Sequence, residues 1–142
     1  MAIVLLVLTL NEIDGMKKIM PKIKKEWVDD IFIVDGGSTD GTIEEAKLQG
    51  FKIIHQKNKG HGGGIITGVE NTNHDTIVFF GPDGNHQPEE IPRLIEKFKQ
   101  GYDQVLISRF GKGSINKDAN FLEWFGKIDS NLPFIKFIIE NR

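Results

Sequence analysis

The sequence predicts an α/β fold, a doubly wound, mostly parallel sheet with helices on both faces. Two observations carry this. Short apolar runs rich in β-branched residues recur at 2–8, 31–34 and 76–80, with lesser ones at 51–54 and 104–108. That is the pattern of parallel strands covered on both sides. Between them lie segments of helical periodicity, and strict strand–helix alternation implies right-handed crossovers within one layered sheet.

The first run halts at Asn11 and Glu12 and lacks the basic start and small-residue cleavage site of a secretory leader, so it reads as a buried strand. Asn11 can cap a helix in which Ile13, Met16, Ile19, Met20 and Ile23 recur at near-helical spacing. Residues 31–34 form the second strand, closed by the polar, glycine-rich turn 35–41. Such a turn suits a tight strand-to-helix junction or the close approach of a ligand to backbone. A helix over about 42–48 ends before Gly50, a residue fit for the C′ position. Strand three, 51–54, precedes a helix over about 62–71. Strand four, 76–80, leads through the loop 81–87 into a helix that Pro88 opens and that Glu89 and Glu90 favour at its positive end. Strand five occupies 104–108, and 121–139 reads as a helix interrupted near Pro133.

Composition narrows the function. A chain of 142 residues supports one core-forming domain. Its 39% apolar and 27% charged residues exclude disordered and fibrous classes. A net charge of −2 and a pI near 6.1 supply no basic face for nucleic acid. The absence of cysteine rules out disulfides and thiolate metal sites and fits a reducing cytosol. No apolar run reaches the roughly 18 residues that span a bilayer. The expected location is cytoplasmic. The apolar stretch 121–139 is expected to pack on the sheet or on another subunit, as a homo-oligomer, or to make peripheral membrane contact, since its Trp and Phe side chains beside Lys127 and Lys136 suit a membrane surface.

Ligands of such sheets bind beyond the carboxyl ends of the strands. There the sequence places Asn11 and Glu12 after strand one, Asp35, Ser38 and Asp40 after strand two, and Asp83, Asn85 and His86 after strand four. Oxygen donors of this kind suit Mg²⁺ or Mn²⁺ rather than zinc. A hard cation beside a glycine-rich rim matches the needs of a nucleoside diphosphate. Taken singly, Gly36, Gly37 and Gly41 could be ordinary turn glycines, and Asp35 and Asp83 simple helix caps. The glycines at 60 and 62–64 do not follow the dinucleotide spacing and come after strand three rather than strand one. His55, His61 and His74 read as surface or packing residues.

Four segments bear a resemblance in order. Leu10-Asn11-Glu12 followed by Val34-Asp35-Gly36-Gly37-Ser38-Thr39-Asp40-Gly41-Thr42 resembles the opening strand and aspartate–glycine turn of the family 2 glycosyltransferases. Asn58-Lys59-Gly60-His61-Gly62 is similar to their next glycine-rich segment. Asp83-Gly84-Asn85-His86-Gln87-Pro88 is similar to the tail of the block that contains their DXD motif. Gly101-Tyr102-Asp103 through Ser108-Arg109 resembles the polyprenyl-phosphate branch, dolichol-phosphate mannosyltransferases included.

The resemblance implies a GT-A, Rossmann-like fold, with 1–110 as the nucleotide-sugar-binding part and 111–142 as a short helical segment of the same single domain. It implies a UDP- or GDP-linked sugar as donor and a polyprenyl phosphate or other lipid-phosphate acceptor. Leu10 and Glu12 would seat the base and ribose, Asp35 would accept a hydrogen bond from the base, and Ser38 and Asp40 would shape the wall. Lys59 would lie near the donor. Asp83 and Asn85 would hold Mg²⁺ or Mn²⁺. The first acid of DXD is Gly81 here, followed by Pro82, and Gly36 stands where aspartate is frequent. Asp118, Glu123 and Asp129 match no catalytic motif, so no catalytic residue is assigned. Gly81 leaves open a weakly active or inactive nucleotide-sugar-binding domain that serves a partner.

Overall fold

The computed structural model describes residues 1–107 and, as backbone, the strand at 138–140. The apolar runs become β1 (Ile3–Thr9), β2 (Asp30–Asp35), β3 (Lys52–His55) and β4 (Thr76–Phe80). Two short strands complete the sheet, β5 (Gln104–Val105) and β6 (Ile138–Glu140). The order is β3-β2-β1-β4-β6-β5. β1 pairs in parallel with β2 and β4, and β2 with β3. β6 runs antiparallel to both of its neighbours. Helices α1 (Ile13–Lys18), α2 (Thr42–Leu48), α3 (Gly60–Glu70) and α4 (Glu90–Phe98) follow the first four strands in turn.

Alternation along β1 divides the core. Ile3, Leu5 and Val7 face the side where Met16, Met20, Ala46 and the α4 residues Ile91, Leu94, Ile95 and Phe98 pack. Val4 and Leu6 face the other side with Phe32, Val34, Ile77 and Phe79, covered by Ile65 and Val69 of α3. Helices therefore lie on both faces, which is why the central strands are apolar throughout. The chain departs from β1 toward β2 on one side and β4 on the other. That switch in strand order opens a crevice at the carboxyl ends of β1 and β4.

Four sequence expectations need correction. The first helix stops at Lys18 instead of running to Ile23, because Pro21 has no N–H to donate and its ring would strike the carbonyl four residues back. A 3₁₀ turn at Met20–Lys22 continues the path and keeps Met20 and Ile23 buried. Asn11 does not cap that helix. It adopts a left-handed φ of 56°, a conformation asparagine tolerates, and its side chain accepts the Thr39 N–H at 2.9 Å. The fifth strand covers only Gln104–Val105, and Ser108 lies outside the described residues. Ile138 and Ile139, expected to close a helix over 121–139, instead form β6 with Glu140, paired between β4 and β5. The rest of that stretch, with the interface expected of it, lies outside the described residues. Among the described residues no helix is long and apolar enough to cross a membrane.

Candidate functional site

A cleft of about 430 Å³ occupies the crevice at the switch point, within the size range of small-molecule sites. Leu8, Thr9, Phe79 and Phe80, from the ends of β1 and β4, form its floor. Leu10 and Glu12 stand on one side, Gly81, Asp83 and His86 on another, and Gln56 with residues 59–61 on a third. Leu10 is 58% exposed, a large apolar side chain at the mouth and free to cover a flat ring.

The wall behind Leu10 is held by the turn after β2. Asp35 is only 1% exposed. Its Oδ1 accepts the hydroxyls of Thr9 at 2.9 Å and Ser38 at 2.5 Å, and its Oδ2 accepts the N–H groups of Gly37 and Ser38, both at 2.8 Å. Burial pushes this carboxyl up, but the four hydrogen bonds outweigh it and hold its pKa below the usual range. Ser38 Oγ in turn accepts the Asn11 N–H at 2.8 Å. Asp40 accepts the Thr42 hydroxyl at 2.6 Å and the Ile13 N–H at 3.1 Å, and its carboxyl is likewise lowered, chiefly by Thr42. The turn is thus stitched to the β1–α1 connection by side chains from both.

Opposite, the loop after β4 carries Asp83 into solvent. Its Oδ1 accepts the Asn85 N–H at 2.9 Å, and its Oδ2 faces the Asn85 amide at 3.3 Å. Pro82 is buried beneath it against α1. A Cβ on Gly15 would stand 1.8 Å from the Pro82 carbonyl oxygen, so only glycine permits this approach. His86 folds back beneath the loop. Its Nδ1 accepts the Gly81 N–H at 3.0 Å, which puts the neutral ring's proton on Nε2, and the ring meets Phe80 edge-on at 5.6 Å.

Glu12 is half-buried, and its pKa is raised first by burial and then by the carboxylates of Asp83 and Asp40. With the folded pKa above the unfolded one, the ionised form is penalised at neutral pH, and the penalty disappears as pH falls through the folded value. Glu12→Gln is therefore expected to raise the stability of the ligand-free protein at pH 7, by less than about 1 kcal/mol after solvent screening. Thermal melts should show the gap closing below about pH 4, near the ordinary carboxylate pKa.

The sequence matches the family model described as glycosyl transferase family 2 over residues 5–140. The chain belongs to that family. It is 30% identical to the dolichol-phosphate mannosyltransferase of Pyrococcus furiosus, an alignment covering 98% of this chain and 38% of that protein. It is 33% identical to the undecaprenyl-phosphate 4-deoxy-4-formamido-L-arabinose transferase of Aeromonas hydrophila, over 72% of this chain and 31% of that one. The chain spans about a third to a half of the length of the curated relatives it matches. Among solved structures, glucosyl-3-phosphoglycerate synthase from Mycobacterium tuberculosis, in complex with Mn²⁺, UDP-glucose and phosphoglyceric acid, superposes with a TM-score of 0.67. Identity there is 24%, covering 78% of this chain and 45% of that one, a likeness of GT-A fold.

For this family 2 domain, four of the sequence-derived site residues meet at the cleft: Leu10, Glu12, Lys59 and Asp83. Asp35, Ser38 and Asp40 stand behind the lining and tie the turn together. Asn85 lies beside Asp83 without lining the cleft. Sequence reasoning missed Gln56, which lines the cleft, and His61 is a surface residue as expected while also standing on the lining. Gln56 was open to discovery, because it directly follows β3 as the other rim residues follow their strands.

Proposed function

We propose that the cleft binds the nucleoside diphosphate part of a UDP- or GDP-linked sugar, as the donor site of a sugar transfer to a polyprenyl phosphate or related lipid phosphate. The observation that carries this reading is the pairing, across one crevice, of an apolar platform at Leu10 with a solvent-facing carboxylate at Asp83. Base and diphosphate need these two surfaces a few ångströms apart. Lys59, also on the lining, supplies positive charge for the phosphates. The names of the relatives, transferases acting on dolichol and undecaprenyl phosphates, support the acceptor class.

The donor set fits a divalent cation that arrives with its ligand. Among the described residues no three acidic, histidine or cysteine side chains form a metal cage. Asp83 and Asn85 offer two oxygen donors, and Mg²⁺ or Mn²⁺ completes such a shell with water and substrate phosphates. When bound, the ion would offset charge on the departing diphosphate. The rest falls to the chain itself. The Asp35 turn fixes the wall, His86 fixes Gly81, and Gly15 fixes the height of the Asp83 loop. In the transfer the acceptor oxygen bonds to the anomeric carbon while the bond from that carbon to the diphosphate breaks, and the diphosphate leaves with the electron pair. A phosphate acceptor is already ionised at neutral pH and needs no general base.

The test incubates the 142-residue chain with radiolabelled UDP- and GDP-sugars, Mn²⁺ and vesicles containing undecaprenyl phosphate. Label entering the lipid supports the full proposal. Donor binding without transfer assigns this chain the donor-holding role alone, and absence of both sinks the reading.

A further inference from the structure

Gln56 leaves β3 at the edge of the cleft, and three features fix its side chain. Its backbone N–H donates to the Asp35 carbonyl at 2.8 Å, anchoring the residue to the neighbouring strand end. Its Nε2 donates to the carbonyl oxygens of Asn58 and, at 2.6 Å, Gly60. Both amide hydrogens are thereby spent on the loop that opens α3. Flipping the amide would set its oxygen against two carbonyls, so the orientation is locked.

The consequence is an acceptor with one possible direction. Among the described residues Gln56 Oε1 accepts no hydrogen bond, and the residue lines the cleft. The oxygen lies between two glycines. It would stand 3.2 Å from a Cβ on Gly36 and 3.1 Å from a Cβ on Gly64. Any side chain at either position would crowd it, and glycine at both keeps it open. The nearby acceptor that motif reading favours, Asp35, is not available in the same way. All four of its acceptor positions are occupied by Thr9, Gly37 and Ser38 inside the turn.

Resting on the donor-binding reading above, we propose that Gln56 selects the nucleobase, its Oε1 accepting a hydrogen bond from the ring N–H of a lactam base, uracil or guanine. The base lies against Leu10, the exposed apolar side chain on the adjoining wall. Cytosine presents a lone pair where a lactam base presents a hydrogen. Two acceptors then face one another, and neither is paired. A site built around one polar contact rejects the ligand that lacks it far better than an apolar pocket can.

The experiment compares UDP, GDP and CDP binding to the 142-residue chain by calorimetry in Mn²⁺, with wild type and Gln56→Met. Wild type is expected to favour UDP or GDP over CDP by about tenfold or more, the worth of one hydrogen bond with its unpaired alternative. The preferred of UDP and GDP identifies the base. In Gln56→Met, similar in length but without the amide and its strong acceptor, that preference should collapse toward unity. A wild type that binds all three alike overturns the proposal even if the variant does not fold. A variant that weakens all three equally and keeps the wild-type preference also overturns it, leaving Gln56 as a loop tie alone. Wild type that binds none of them overturns this inference and the donor-binding reading together.

Discussion

Gly15→Ala is expected to destabilise the protein by about 2–4 kcal/mol and to weaken diphosphate binding in the molecules that remain folded. In a helix interior alanine is ordinarily favoured over glycine by about 1 kcal/mol. Here the added methyl would meet the Pro82 carbonyl oxygen at 1.8 Å and the Pro82 Cβ at 2.9 Å. Both are parts of the chain with little freedom, because Pro82 is buried and His86 holds Gly81. Overpacking of this kind forces backbone to move. The backbone that must move carries Asp83, so stability and the proposed metal-assisted binding should fall together. Thermal melting should show a loss of roughly 10 °C. Gly62→Ala is the control. It also lies in a helix, α3, but its Cβ would meet nothing within 4 Å, and it should be neutral or slightly stabilising. Equal behaviour of the two variants would contradict the packing argument.

Asp35→Ala should cost about 3 kcal/mol, since it strands two N–H groups and two hydroxyls that now converge on one buried carboxylate. The pH dependence separates charge from shape. The folded pKa of Asp35 is depressed below its unfolded value of about 3.9. Its stabilisation is therefore fully present above that value and is lost as pH falls through the folded pKa. Asp35→Asn keeps the shape, but with its oxygen on the Gly37 and Ser38 N–H groups its amide nitrogen faces the Thr9 and Ser38 hydroxyls and cannot accept from them. Denaturant titrations should show wild type ahead of Asp35→Asn from pH 7 to about 5, with the gap narrowing below about 4. A gap independent of pH would mean that the carboxylate charge contributes nothing to the turn.

Most of the sheet was readable from local pattern because β1, β4 and the 31–34 run of β2 are largely buried and consist of little but Ile, Val, Leu and Phe. What escaped was non-local. β6 is three residues long, and its pairing is with β4 and β5, both distant from Ile138–Glu140 in sequence. The end of α1 was marked by Pro21, but the spacing of Met20 and Ile23 imitated a longer helix because the 3₁₀ turn keeps both on the core side. At the site, the residue types at Glu12, Lys59 and Asp83 drew notice by motif and position. The environment of Asp35 could not be read that way, since its carboxylate is oriented by Thr9 on another strand. Gln56 carries no motif at all. Its placement arises from hydrogen bonds to Asp35, Asn58 and Gly60, and two glycines from different connections, at 36 and 64, leave its oxygen uncrowded.

On the proposed reading, Asp83 and its neighbours take a divalent cation together with a nucleoside diphosphate. The most direct measurement is calorimetric titration of UDP and GDP into wild type and Asp83→Ala, each with Mn²⁺ and again with EDTA. Wild type should bind one of the two in Mn²⁺ and lose at least about 100-fold in affinity on chelation, while Asp83→Ala behaves in Mn²⁺ as wild type does in EDTA. Binding that is indifferent to EDTA, or an Asp83→Ala protein that retains metal-assisted affinity, would contradict the account.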